Sequence, residues 1–173
     1  MVEIPAPGGV CGPVQTLPMS SWHELVADSP DFARRVRAAF DAGTNKTLAT
    51  LRADGSPRVS GTELQFEDDA PSGARITLGM MPGSRKLDDV RRDPRVAVHS
   101  PTLEPPPGSL GEGDAKLAGV LIGYDDPGSP VPDSSSFELD VREAVLTTVD
   151  EHAALLVVES WHPGRGYQRI TRA

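Results

Sequence analysis

A serine and two cations open a short amphipathic segment, Ser84-Arg85-Lys86-Leu87-Asp88-Asp89-Val90, which follows Met81-Pro82-Gly83 and runs toward Asp93-Pro94. Ser84 is placed to N-cap a helix, Leu87 and Val90 form an i, i+3 apolar pair, and Asp93-Pro94 ends it. Proline lacks the N–H and restricts the residue before it. The first turn lies at the positive end of the helix macrodipole, where a cation is disfavoured by roughly 0.3–1 kcal/mol. Arg85 and Lys86 stand there nonetheless. Free N–H groups, Gly83, the Ser84 hydroxyl and two cations together could cradle a phosphate. The alternative is a solvated helix end whose basic residues are offset by Asp88 and Asp89, and this segment alone leaves both readings open.

Other chemistries find less support. His23, His99, His152 and His162 are scattered, without the i, i+4 or C-x-x-C spacing of a preformed metal site, so no metal is expected. A G-x-S-x-G nucleophile elbow is absent. The pairs Asp68-Asp69, Asp88-Asp89 and Asp125-Asp126 fall in expected loops or on a helix surface and read as solvation. Neither a Walker A sequence nor a glycine-rich strand-to-helix fingerprint occurs, which argues against a doubly wound nucleotide enzyme.

The 173 residues fit one domain with a real core, and 24% charged with 38% hydrophobic residues is a globular composition. A net charge of −8 argues against nonspecific nucleic-acid or anionic-membrane binding. No run approaches the length of a transmembrane helix, and the proline-broken start does not resemble a secretory signal. The single Cys11 excludes an internal disulfide framework and fits a reducing, cytoplasmic setting.

The elements that must position the helix start are mainly strands. Residues 1–18 read as an extended arm, and 19–173 as a single domain. Ser21-Trp22-His23-Glu24 is a capping-box pattern opening a short helix. Ser29-Pro30-Asp31 starts a second, with Phe32, Val36 and Phe40 on one stripe and Gly43 at its end. Arg34, Arg35 and Arg37 read as its solvated face. Strands are expected over residues 46–52, 57–66, 75–80, 95–100 and 115–124, the first two joined by the hairpin turn Ala53-Asp54-Gly55-Ser56. Gly119 and Gly123 point to a bulge or close backbone approach. Alternation continues from Phe137, either to Val149 or into a helical stretch over Arg142 to Val145. Residues 153–160 form a nearly continuous apolar run read as a buried strand, and 167–171 a last short one. Seven or so mostly antiparallel strands with few helices favour a closed barrel. Long loops at 101–114 and 125–136 separate the later strands.

This order of parts resembles the split β-barrel flavin-binding family typified by pyridoxamine 5′-phosphate oxidase. The resemblance is carried by the hairpin Leu48-Ala49-Thr50-Leu51-Arg52 through Ser60, by Ile76-Thr77-Leu78-Gly79-Met80, by Gly83-Ser84-Arg85-Lys86, by Asp93-Pro94-Arg95-Val96, and by Trp161-His162-Pro163-Gly164-Arg165-Gly166. It covers about residues 31–172. It implies a mainly β fold with flanking helices, a homodimer, and flavin mononucleotide (FMN) between the subunits, acting on a small-molecule substrate. It also places Ser84, Arg85 and Lys86 at the cofactor phosphate, Ser60, Gly61 and Thr62 beside the ring, and Gly79 and Met80 against the cofactor. Trp161 matches a late tryptophan near the cofactor, or is a core aromatic.

Two departures qualify the likeness. Ser60 and Gln65 stand where pyridoxamine-phosphate oxidases carry basic residues, and the C-terminal substrate motif is replaced by Arg169-Ile170-Thr171-Arg172. These departures argue against pyridoxamine-phosphate oxidase activity. They leave three expectations: an FMN-dependent oxidoreductase, a reductase using the deazaflavin coenzyme F-420, or a flavin-binding protein without turnover. For the deazaflavin, Lys116 or Arg58 would hold the longer anionic tail. No titratable residue stands out as an essential acid or base.

Overall fold

The computed structural model describes residues 22–70, 73–104, 113–124, 126, 128–129, 135–150 and 155–172. The arm, Cys11, Ser21 and most of the two long loops lie outside the described residues. Two helices come first, α1 (Trp22–Asp28) and α2 (Pro30–Asp41). Phe32, Val36 and Phe40 are all buried along α2, as the i, i+4, i+8 spacing requires. Ser29 occupies the N-cap position of α2, but its side chain makes no capping bond and turns to Asp28 instead. Gly43 follows the helix without a left-handed φ.

The strands among the described residues are β1 (Lys46–Leu51), β2 (Pro57–Thr62), β3 (Gln65–Glu67), β4 (Arg75–Met80), β5 (Arg95–His99), β6 (Asp114–Tyr124), β7 (Ser135–Asp150), β8 (Leu155–His162) and β9 (Gly166–Arg172). A third helix, α3 (Arg85–Arg92), lies between β4 and β5. All pairings are antiparallel, in the order β2-β1-β5-β6-β7-β4-β3, with β8 on β7 and β9 on β8. The terminal strands of that order, β2 and β3, are separated by only Glu63 and Leu64. The sheet therefore curls until its two ends are covalently joined.

Several expectations are corrected, and two open ones, at Arg142 to Val145 and at Gly119, are decided. The single strand expected over 57–66 is two, because Leu64 turns into the core and the chain transfers from β1 to β4 there. Arg142 to Val145 is strand, inside the sixteen-residue β7. The apolar run before Ser160 is not buried on both faces: in β8 exposure alternates, with Val157, Glu159 and Trp161 inward. Arg35 is not on a solvated face, since it binds the buried Glu159 through two 2.5 Å hydrogen bonds and ties α2 to β8. The expected bulge falls between Ala118 and Gly119, where a Cβ would meet the Asp140 carbonyl oxygen at 2.1 Å, so only glycine fits.

One continuous core joins the helices to the barrel. Trp22 of α1 meets Phe66 of β3 edge-on at 5.2 Å, and Phe40 of α2 lies 6.0 Å from the same ring. No helix among the described residues is long and apolar enough to cross a membrane.

Candidate functional site

The joined ends of the sheet do not close completely. β3 pairs with β4 only as far as Gln65↔Thr77, so Gly79 and Met80 run past it with no strand among the described residues paired on that side. Among the same residues β2 pairs with β1 alone. The split thus lies between Ser60-Gly61-Thr62 of β2 and the end of β4. After Met80 the chain turns through Met81 to Ser84, with Gly83 at φ +69°, a conformation that favours glycine. The Ser84 carbonyl then accepts the Leu87 N–H at 3.0 Å and α3 begins.

Lys86 spans the split. Its Nζ donates to the Gly61 carbonyl at 2.7 Å, bringing the start of α3 to β2. Burial holds the Lys86 pKa below the ordinary 10.5. Two hydroxyls are near the Lys86–Gly61 contact along the chain, Ser60 just before Gly61 and Ser84 two residues before Lys86. Ser84 sits at the N-cap position but makes no capping hydrogen bond, and Ser84 Oγ and Ser60 Oγ are both buried without a partner among the described residues. An unpartnered buried hydroxyl costs free energy, so each of the two marks a place where another group would complete the bonding. At Gly61, Gly79 and Gly83 an added Cβ would meet nothing within 4 Å, so space is open at these positions.

Of these residues Lys86 and Gly61 are in direct contact, Ser60 and Ser84 are their neighbours along the chain, and Gly79 lies at the end of β4 that leads into Ser84. Thr62 and Met80 adjoin them, but the Thr62 side chain is buried with its hydroxyl directed at the Glu63 carbonyl, and the Met80 side chain is in the core. Trp161 is 1% exposed in the core cluster, and its Nε1 donates to Asp28 Oδ2 at 2.9 Å. That is the geometry of a packing residue.

Arg85 diverges from Lys86. Neighbours in a helix project about 100° apart, and Arg85 lines a separate cleft of about 340 Å³ between the β1–β2 turn and α3. Arg52, Arg58 and Arg92 share that cleft with Asp54, Asp88 and Asp89.

Asp89 was read as solvation from sequence and is instead 3% exposed. Its Oδ2 accepts from Arg58 Nε at 2.6 Å and Thr50 Oγ1 at 2.9 Å, and its Oδ1 from Arg92 at 3.1 Å. Arg58 first, then Thr50 and Arg92, hold this carboxyl well below the usual carboxylate range. Nothing in the linear sequence distinguishes Asp88 from Asp89; the fold alone turns one inward. Lys116 does not line this cleft and pairs with Val145 and His99 in the sheet. Among the described residues no cluster of His, Cys, Asp and Glu could hold a metal.

No family model matches the sequence, and no curated protein is detectably similar to it. Solved structures are similar in fold. PhzG from Burkholderia lata 383, in complex with tetrahydrophenazine-1-carboxylic acid, aligns with a TM-score of 0.59 over 90% of this chain and 93% of its own, at 11% identity. A pyridoxamine 5′-phosphate oxidase-related, FMN binding protein from Nostoc punctiforme aligns at 0.54 over 91% and 100%, at 14% identity. The chain has their fold. Its antiparallel sheet, joined at β2 and β3 and open beside β4, is a split β-barrel. At these identities the likeness concerns architecture, and the site must be argued from its own residues.

Proposed function

We propose that this chain binds FMN across the split and is an oxidoreductase transferring hydride to or from a small organic substrate, as a homodimer with the cofactor at the subunit interface. The observation that carries the reading is that Ser84, at the start of the Lys86 helix, and Ser60, next to the Gly61 that Lys86 binds, both bury a hydroxyl with no partner among the described residues. A phosphate at the helix start would accept from Ser84, from the free N–H groups of the first turn and from Lys86, while Arg85 adds charge from the flank. Space at Gly61 and Gly79 suits a flat ring lying against backbone. The FMN-binding neighbour with the same fold supports this choice of ligand.

The cofactor supplies the hydride chemistry when bound. The chain's residues bind, orient and exclude water. Backbone N–H groups near Ser60 to Thr62 and at Gly79 would donate to the edge of the ring, which would stabilise negative charge there. Val59 and Met81, 70% and 59% exposed beside the split, are the apolar residues a second subunit would cover.

The absorbance spectrum of the purified protein, followed by titration with FMN and riboflavin, tests the reading. Flavin bands, and FMN bound at least tenfold more tightly than riboflavin, are expected. Colourless protein that fails to bind added FMN overturns it. Bound FMN that no reductant and acceptor turn over would make the chain a flavin carrier, and tighter binding of the deazaflavin coenzyme would change the cofactor.

A further inference from the structure

We propose that the cleft between the β1–β2 turn and α3 is a second anion subsite, in which Arg52, Arg58 and Arg85 bind a phosphate or carboxylate group. It adjoins the phosphate cradle proposed above and rests on that reading only through Arg85, which borders both; Arg52 and Arg58 belong to the cleft alone.

Hydrogen-bond bookkeeping at the cleft leaves guanidinium donors over. Asp89, at its base, binds two arginines with one carboxylate. Arg92 gives one terminal amino group, Nη2, to both Asp89 and the Leu51 carbonyl, the latter at 2.5 Å. Arg58 gives only its Nε to Asp89, and its two terminal amino groups have no acceptor among the described residues. Arg52 has a neutral partner, Ser56 Oγ at 3.2 Å, and no ion pair among the described residues. Arg85 has neither a hydrogen bond nor an ion pair to any described residue, although it lines the same space.

The acidic residues offset this excess only in part. Asp54 is engaged by the Ser56 N–H at 2.9 Å and the Ser56 hydroxyl at 2.7 Å, which fix the turn. Asp88 is exposed. Four arginines thus face three aspartates in a chain whose net charge is −8, a local reversal of sign. Asp89 also sets the geometry: it holds Arg58 and Arg92 in place, so their planar forks are ordered before any ligand arrives. At about 340 Å³ the cleft is roomy enough for a phosphate or a small carboxylate. The anion is either a second acidic group carried by the cofactor itself or a separate small anion.

Calorimetric titration of inorganic pyrophosphate into the free and the FMN-saturated protein, with parallel affinities for FMN and FAD, separates these sources. Arg52→Gln is the informative variant, because Arg52 is exposed, lies outside the cradle and supports no buried partner. For a separate anion, pyrophosphate binds the FMN-saturated protein, and Arg52→Gln weakens it about tenfold while FMN affinity stays within about twofold. Asp88→Asn then tightens pyrophosphate about two- to threefold. For an anion carried on the cofactor, FAD binds more tightly than FMN and Arg52→Gln removes the difference. The proposal is overturned if neither pyrophosphate nor FAD binding responds to Arg52→Gln. Should FMN not bind at all, pyrophosphate titration of the free protein still reads the cleft, and only the flavin reading fails.

Discussion

Asp89 Oδ2 lies 2.6 Å from Arg58 Nε, which locks α3 onto β2 two residues before Ser60. The same carboxylate reaches Thr50 of β1, so three elements converge on one buried charge. Lys86, one turn earlier on α3, reaches Gly61 of the same strand. The two contacts together set how far the split can open.

Replacing Asp89 with asparagine leaves Arg58 without its counter-charge and lowers the melting temperature by roughly 5–10 °C at neutral pH. Because its partners depress the Asp89 pKa, the stability it contributes is complete above the ordinary value of 3.8 and is lost as pH falls toward the folded value. Thermal melts between pH 2.5 and 7 should therefore show a shallower acid limb in the variant. An unchanged limb would remove Asp89 from the acid response.

Ser60→Ala separates binding from folding. Deleting an unpartnered buried hydroxyl leaves the free protein as stable as before, or more stable by about 1 kcal/mol, whereas losing a bond to the ligand weakens FMN by about 0.5–1.5 kcal/mol. Chemical denaturation and FMN titration on the same preparation check both signs. A destabilised apo protein would mean that the hydroxyl has a partner within the fold.

Filling the cradle gives a second separation. A Cβ at Gly79 meets nothing within 4 Å, and the position is within a strand, so Gly79→Val should fold with a melting temperature close to that of the parent. FMN affinity should fall more than about tenfold, because the side chain occupies the space assigned to the ring. Normal binding by the folded variant would move the ring elsewhere.

Lys86 governs the alkaline side. Its pKa lies below 10.5 because burial disfavours the ammonium, so the charge that would hold a phosphate is lost as pH rises through that lowered value, earlier than for an exposed lysine. FMN affinity measured from pH 7 to 10.5 should decline, while riboflavin affinity stays flat. Lys86→Arg keeps its charge throughout and should flatten the FMN curve. A decline that persists in Lys86→Arg would assign the titration to another group.

Much of the architecture is legible in the residues themselves. Period-two alternation, the turn at Ala53-Asp54-Gly55-Ser56 and the apolar stripe of α2 follow from local stereochemistry, which each segment carries wherever it sits. The start of α3 was legible for the same reason: Gly83 for a left-handed φ, a residue at the N-cap, and a proline after Asp93 are local signals. Only the tertiary structure decided what these parts face. The break at Glu63 and Leu64 arises because a curled sheet must pass its last strand from β1 to β4. The inward turn of Asp89, the commitment of Trp161 to Asp28, and the divergence of Arg85 from Lys86 depend on neighbours 25 to 133 residues away. Contacts at that separation are set by packing, to which no local pattern in the chain refers.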